Sequence, residues 1–273
     1  MKDWLIRFVA LWLAPILRFI FKYDLRGLDN LPRTGPFIVA SNHISYLDPI
    51  VLIHVGVRFR KPRWYLRFLS KQELFEKQPM RFVMRSSKMI PVDRGTSHAS
   101  DSLSSARAAL RDGEVICIFP EGTISLTLLP MKAFSGVGRL ALDSGVPVVP
   151  AGVWGTHRTY GKHHKRDIRH HMPVNVFFGE PLVFGPDSDK TAAEAADEIM
   201  AAVIRLVDEA RSEYPEAPEP DDWWGPPEWP VEAAGRWRPK ISKKMPKDEQ
   251  QQVALEAMRA AAAEAGSGDA GVA

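Results

Sequence analysis

Pro36-Phe37-Ile38-Val39-Ala40-Ser41-Asn42-His43-Ile44-Ser45-Tyr46-Leu47-Asp48-Pro49 begins as a short apolar run, turns polar at Ser41-Asn42-His43, and reaches an acidic residue seven positions after the turn begins. The run 36–40 has the length and composition of a strand buried on both faces, and residues 47–57 read as the helix that follows it. The same alternation continues along the chain. Apolar runs at 36–40, 63–69, 89–92, 115–119, 146–153 and 174–178 read as strands, and the stretches 47–57, 73–84, 98–112, 133–144 and 191–213 between or after them read as helices. Continuous apolar strands separated by helices imply an α/β fold, a mixed and largely parallel sheet covered by helices. In such sheets ligands bind beyond the carboxyl ends of the strands, which directs attention to the segments after Ala40, Val92 and Phe119.

The composition suits a globular chain of this size. There are 36 Lys+Arg against 33 Asp+Glu, a net charge of +3, and hydrophobic residues make up 45% of the 273 positions. That excludes disorder over the whole length, which needs low hydrophobicity with high net charge. Cys117 is the single cysteine and sits in the apolar run 115–119, so it reads as a buried structural thiol in a reducing compartment, with no disulfide, redox or zinc role. Charge is unevenly placed: residues 1–111 hold 19 basic and 8 acidic residues (19 − 8 = +11), whereas 215–273 hold 7 and 11 (7 − 11 = −4). The basic half is the part suited to an anionic partner. Nucleic acid is not the expected one, because no interleaved aromatic stacking motif accompanies the charge.

Four regions are distinguished along the chain. Residues 1–30 hold an expected amphipathic helix: Asp3, Arg7, Leu11, Ala14, Arg18 and Lys22 fall on one narrow stripe, and Trp4, Leu5, Phe8, Trp12, Ile16, Phe19 and Ile20 cover most of the rest. The ten uncharged residues between Arg7 and Arg18 are half of the about 20 that a spanning helix needs, so the helix is expected to lie in the membrane interface, with a kink at Pro15. Residues 31–214 form the main α/β domain. Residues 215–246 carry eight prolines and four tryptophans (Trp223, Trp224, Trp229 and Trp237) and read as an extended arm packed across that domain. Residues 247–273 read as a helix to Ala265 followed by a disordered tail from Gly266.

His43 and Asp48 are five positions apart, which in a regular helix would separate them by about 140°. They meet only if His43 lies in the turn and Asp48 in the first turn of the helix. A carboxylate on one imidazole nitrogen then fixes the tautomer and leaves the other nitrogen to take a proton from a hydroxyl, a base and orienter without a protein nucleophile.

Three more blocks accompany this one: Ile90-Pro91-Val92-Asp93-Arg94-Gly95, Phe119-Pro120-Glu121-Gly122-Thr123 and Gly145-Val146-Pro147-Val148-Val149-Pro150. In order, spacing and identity the four blocks, over about residues 35–185, resemble the glycerolipid acyltransferase family, in particular its bacterial 1-acylglycerol-3-phosphate acyltransferases. The resemblance implies His43 as general base and Asp48 as its orienter. It further implies that Arg94, with Lys71 of Lys71-Gln72-Glu73-Leu74-Phe75, binds the acceptor's phosphate, while Glu121, Gly122 and Thr123 hold its glycerol part. The local charge agrees, since residues 58–94 hold eleven basic and three acidic residues.

The chain departs from the family pattern where a basic residue commonly follows Glu-Gly-Thr; here Ile124, Ser125 and Leu126 follow, and Lys132 or Arg139 is expected to supply the charge. The expected reaction moves a fatty acyl group from acyl-CoA or acyl carrier protein to 1-acylglycerol 3-phosphate, giving phosphatidate. Glycerol 3-phosphate or another lysophospholipid as acceptor, and a non-catalytic lipid-binding protein on the same fold, stay open. A thiolate leaves readily, so no cofactor, metal or covalent enzyme intermediate is expected. Five of the eight histidines, at 157, 163, 164, 170 and 171, sit among Lys162, Lys165, Arg166 and Arg169 and read as a cationic loop near membrane phosphates or an acyl carrier. A peripheral protein on the cytoplasmic face of the cell membrane, in contact with its phospholipid surface, is the location that these readings imply.

Overall fold

The computed structural model describes residues 12, 14–59, 66–92, 99–164, 166–185, 188–219, 222–225, 229–242 and 244–268. Seven strands form one sheet: β1 (Phe21–Arg26), β2 (Ile38–Ser41), β3 (Leu66–Lys71), β4 (Ile90–Val92), β5 (Val115–Ile118), β6 (Val148–Trp154) and β7 (Met172–Phe178). Their spatial order is β1-β7-β6-β2-β5-β3-β4. Five of the six pairings are parallel and β6–β7 is antiparallel, the mixed, largely parallel sheet expected.

Alternation along β2 and β5 sends neighbouring side chains to opposite faces, so the sheet carries two cores. Ile38, Ala40, Ile116 and Val148 pack with α4 (Ala99–Arg111), α5 (Gly136–Ser144) and α7 (Ala192–Ser212). Phe37, Val39, Cys117, Val149 and Ala151 pack with Val51, Leu52 and Val55 of α2 (Asp48–Phe59) and with Leu17. Cys117 is buried, and burial pushes its thiol well up. Helix α7 starts with a capping box, in which Thr191 Oγ1 accepts from the Glu194 N–H and Glu194 accepts from the Thr191 N–H.

Several elements differ from expectation. Residues 21–26, read as the end and aftermath of the N-terminal helix, form β1 and pair with β7, so the expected unit 1–30 is divided between a helix and the main sheet. The helix expected at 73–84 is a 3-10 turn at Gln72–Phe75 and a short helix α3 at Met80–Ser86, because Pro79 between them has no N–H to continue a helical ladder. The strand expected at 63–69 is described as Leu66–Lys71, its first residues lying outside the described set. The last helix, α8 (Lys247–Gly268), runs three residues past the expected end at Ala265.

Of the N-terminal amphipathic helix, residues 1–11 and 13 lie outside the described residues; residues 14–20 are helical and are called α1. Leu17 is buried in the core, while Trp12, Ile16 and Phe19 are 64%, 53% and 62% exposed. Their apolar side is therefore not covered by the domain. No described helix is long and apolar enough to cross a membrane.

The arm folds back on the domain. Trp224 and Trp237 are buried, and Trp237 packs with Leu126, Leu129 and Met131 beneath Ala254 and Met258 of α8. Its indole Nε1–H donates to the Pro130 carbonyl at 3.2 Å.

Candidate active site

Strands β2, β3, β4, β5 and β6 are mutually parallel in the sheet, so their carboxyl ends open on one edge. His43 follows β2, which is central, and Asp48 is the first residue of α2. The Asp48 side chain is fully buried and accepts four hydrogen bonds. Oδ2 takes the N–H groups of Ile44 and Ser45, each at 2.8 Å, and faces His43 Nδ1 at 2.9 Å. Oδ1 takes the hydroxyl of Thr156 at 2.5 Å. Three donors other than His43 surround the carboxyl and suit its ionised form, which has only acceptors to offer, so we assign the His43 proton to Nδ1 and the lone pair to Nε2. The imidazole is stacked on the Phe119 ring, 4.0 Å between centroids and 12° from parallel. Asn42 clamps the turn to β6, donating to the Val153 carbonyl at 2.9 Å and accepting its N–H at 2.8 Å.

The segment after β5 reaches the same turn. Glu121 is fully buried; Oε1 accepts the His43 N–H and Oε2 the Met131 N–H, both at 2.8 Å. Burial pushes its carboxyl up to about 8, with those two N–H groups and Arg238 acting in the opposite direction. Ser125 N–H donates to the His43 carbonyl at 2.8 Å, a further tie between the two segments. Beside Glu121 lies a cavity of about 440 Å³, whose wall includes Lys71, Gly122, Thr123, Lys162, Arg238 and Gln250.

The sites expected from the sequence are thus distributed unevenly. His43 and Asp48 meet, and Lys71, Glu121, Gly122 and Thr123 share the cavity wall. Arg94 lies outside the described residues. Lys132 does not line the cavity: its side chain is exposed, and its backbone is what engages the arm, N–H to the Trp237 carbonyl at 2.9 Å. Arg238 stands on the wall in its place. The histidine-rich loop is corrected at its first member. His157 is buried among Trp154, Trp223 and Trp224, and burial lowers its pKa to about 4, so it is a neutral core residue. Its neighbour Arg158 is paired with Glu216 and lies 3.9 Å from the centre of the Trp224 ring. Among the described residues, no group of three or more His, Cys, Asp or Glu could hold a metal ion.

With this geometry in place, residues 22–154 match the family model described as Acyltransferase. Over those residues, which run from β1 to the end of β6, the chain is similar to the acyltransferase family. Similar proteins include a chloroplastic 1-acyl-sn-glycerol-3-phosphate acyltransferase of Brassica napus, 30% identical over 72% of this chain and 55% of its own length. The 1-acyl-sn-glycerol-3-phosphate acyltransferase of Bacillus subtilis (strain 168) is 27% identical over 64% of this chain and 81% of its own. This chain spans about half the length of the plant relatives it matches. The crystal structure of the 1-acyl-sn-glycerophosphate acyltransferase PlsC from Thermotoga maritima shares the fold, with a TM-score of 0.59 and 22% identity over 79% of this chain and 83% of that one.

Three residues placed around the His43–Asp48 pair and the cavity escaped the sequence reading. Thr156 carries a weak signal, since it directly follows the Trp154-Gly155 end of β6 at the productive edge of the sheet. Lys162 was grouped with the loop's other charges. Arg238, in Trp237-Arg238-Pro239, has no local pattern that would mark it.

Proposed function

We propose that this protein transfers a fatty acyl group from a thioester, acyl-CoA or acyl carrier protein, to the free hydroxyl of 1-acylglycerol 3-phosphate, giving phosphatidate. The observation that carries the reading is the His43–Asp48 pair, with Nε2 as the free base and a carboxylate held by three other donors behind Nδ1. His43 Nε2 takes the hydroxyl proton as the acceptor oxygen bonds to the thioester carbon. The tetrahedral intermediate collapses by breaking the carbon–sulfur bond, and the departing thiolate receives the proton from the imidazolium. The Gly122 N–H is already donated to the Phe119 carbonyl at 3.0 Å, so the oxyanion is assigned to the next N–H groups of the same turn, those of Thr123 and Ile124.

The acceptor's phosphate is assigned to Lys71 and Arg94, and its glycerol part to the Glu121-Gly122-Thr123 turn. The protein works as a peripheral enzyme on the cytoplasmic face of the membrane, with Trp12, Ile16 and Phe19 toward the lipid, a placement supported by their exposure.

The test is thiol release from palmitoyl-CoA, or from an acyl carrier protein thioester, in the presence of liposomes and either lysophosphatidate, glycerol 3-phosphate or no acceptor. Release should depend on lysophosphatidate and fall by about 10³-fold or more in His43→Ala, the range for losing a general base together with its orientation. Release that favours glycerol 3-phosphate would replace the acceptor. A wild-type protein silent with both donors and both acceptors would overturn the assignment.

A further inference from the structure

Three cations from distant parts of the chain line the cavity beside Glu121: Lys71 at the end of β3, Lys162 in the turn after α6 (Thr156–Tyr160), and Arg238 in the arm. The acidic groups on the same wall are Glu73 and Glu121, and both oxygens of Glu121 are taken by N–H groups. Burial, then the charge of Lys71, hold the Lys162 ammonium below its ordinary pKa. Like charges gathered at a partly dry site are destabilising unless an anion comes between them.

Arg238 forms no ion pair with a described residue. Its Nη1 donates to the Glu121 carbonyl at 2.9 Å and Nη2 to the Lys132 carbonyl, and the guanidinium lies 3.8 Å from the centre of the Phe134 ring. Two of its N–H groups are thereby placed by backbone oxygens, and the other three have no acceptor among the described residues. The flanking chain holds it there: Trp237 is buried against Pro130, and Gln251 of α8 donates to the Leu126 carbonyl at 3.0 Å. Lys162 is tied to the same helix through His163, whose Nε2 lies 3.2 Å from Gln250 Oε1.

We propose that Arg238 and Lys162 join Lys71 in binding the phosphate of the acceptor, so that the Trp-rich arm is a working wall of the site and selects phosphorylated over unphosphorylated acceptors. The nature of the acceptor rests on the acyltransferase reading; the anion site does not.

The experiment compares wild type, Arg238→Met and Arg238→Lys with lysophosphatidate and with 1-acylglycerol, which lacks only the phosphate. Arg238→Met should raise the KM for lysophosphatidate by about tenfold to a hundredfold, as for loss of charge-assisted hydrogen bonds, a loss several times larger than any it causes with 1-acylglycerol. Arg238→Lys should fall between. A KM within about twofold of wild type, or equal losses with both acceptors, would overturn the proposal and mark Arg238 as a fastener of the arm. Melting temperatures and Trp fluorescence of the variants detect a detached arm directly. Should wild type transfer no acyl group at all, that reading fails by itself, and calorimetry with glycerol 3-phosphate decides the site. Binding that weakens in Arg238→Met upholds it, whereas no binding to wild type, or equal binding to both, overturns it.

Discussion

The Thr156 hydroxyl donates at 2.5 Å to Oδ1 of Asp48, 108 positions earlier in the chain and on the side of the carboxylate turned away from His43. Thr156→Val keeps the shape and removes the donor, leaving a fully buried carboxylate oxygen unpaired. The expected outcome is a fall in kcat of about tenfold with little change in either KM, from a hydrogen bond worth roughly 1.5 kcal/mol. Thr156→Ser should restore most of the rate, which a purely packing role would not produce. Steady-state kinetics on the three proteins make the comparison.

Glu121→Gln must turn an amide NH₂ toward the N–H of either His43 or Met131, where the carboxyl offers an oxygen to each. The variant should lose about 1–3 kcal/mol of stability. The gap should narrow as pH rises. The folded carboxyl, at about 8, lies above its ordinary 4.5, so the stability it contributes is complete below 4.5 and is lost as pH passes through 8, and the amide has no such loss. Denaturant titrations at pH 5, 7 and 9 would read both effects.

His157 acts in the opposite direction. Its Nε2 lies 3.1 Å from the Trp224 carbonyl and its buried Nδ1 has no partner among the described residues, so a second proton has no acceptor. With the folded value lowered from 6.5 to about 4, its contribution is present above 6.5 and lost as pH falls through 4, roughly 3 kcal/mol in all. His157→Gln should be less stable at pH 7 yet show a flatter decline between pH 7 and 4.5 in urea unfolding. An unchanged slope would count against a neutral buried imidazole.

Gly138 lies where α5 crosses the start of α7, and a Cβ there would sit 2.1 Å from the Ala192 carbonyl oxygen and 2.7 Å from the Ala196 nitrogen. Backbone cannot yield as a flexible side chain does. Gly138→Ala should cost about 1–3 kcal/mol and lower the melting temperature by roughly 5 °C.

The central strands were legible because β2, β5 and β6 are buried on both faces and so appear as unbroken apolar runs. β1 was hidden although Phe21-Lys22-Tyr23-Asp24-Leu25-Arg26 alternates with period two, since its first residues also continue the helical stripe through Lys22. In the site, the His43–Asp48 encounter is local and could be read from a spacing of five. What Thr156, Lys162 and Arg238 contribute depends on chain returning to the sheet edge from more than a hundred positions away, and no short pattern records such a return. Lys132 was chosen by nearness along the chain. The arm instead crosses above it and brings a different cation, while Lys132 serves through its peptide group.

The placement of that arm also sets a timetable for synthesis. The wall of the cavity begins at Lys71 and includes Gln250 in α8, and α8 with Trp237 covers Leu126, Leu129 and Met131. A ribosome adding about 5–20 residues per second needs roughly 6–25 seconds to pass from Glu121 to Gln250. Through that interval the nascent chain has the strands that carry its imidazole and carboxylate, but the apolar underside of the 126–131 loop has no cover. The segment that seals it is made more than a hundred residues after the loop it covers, so the nascent chain stays open to aggregation, and in need of a chaperone, until α8 emerges.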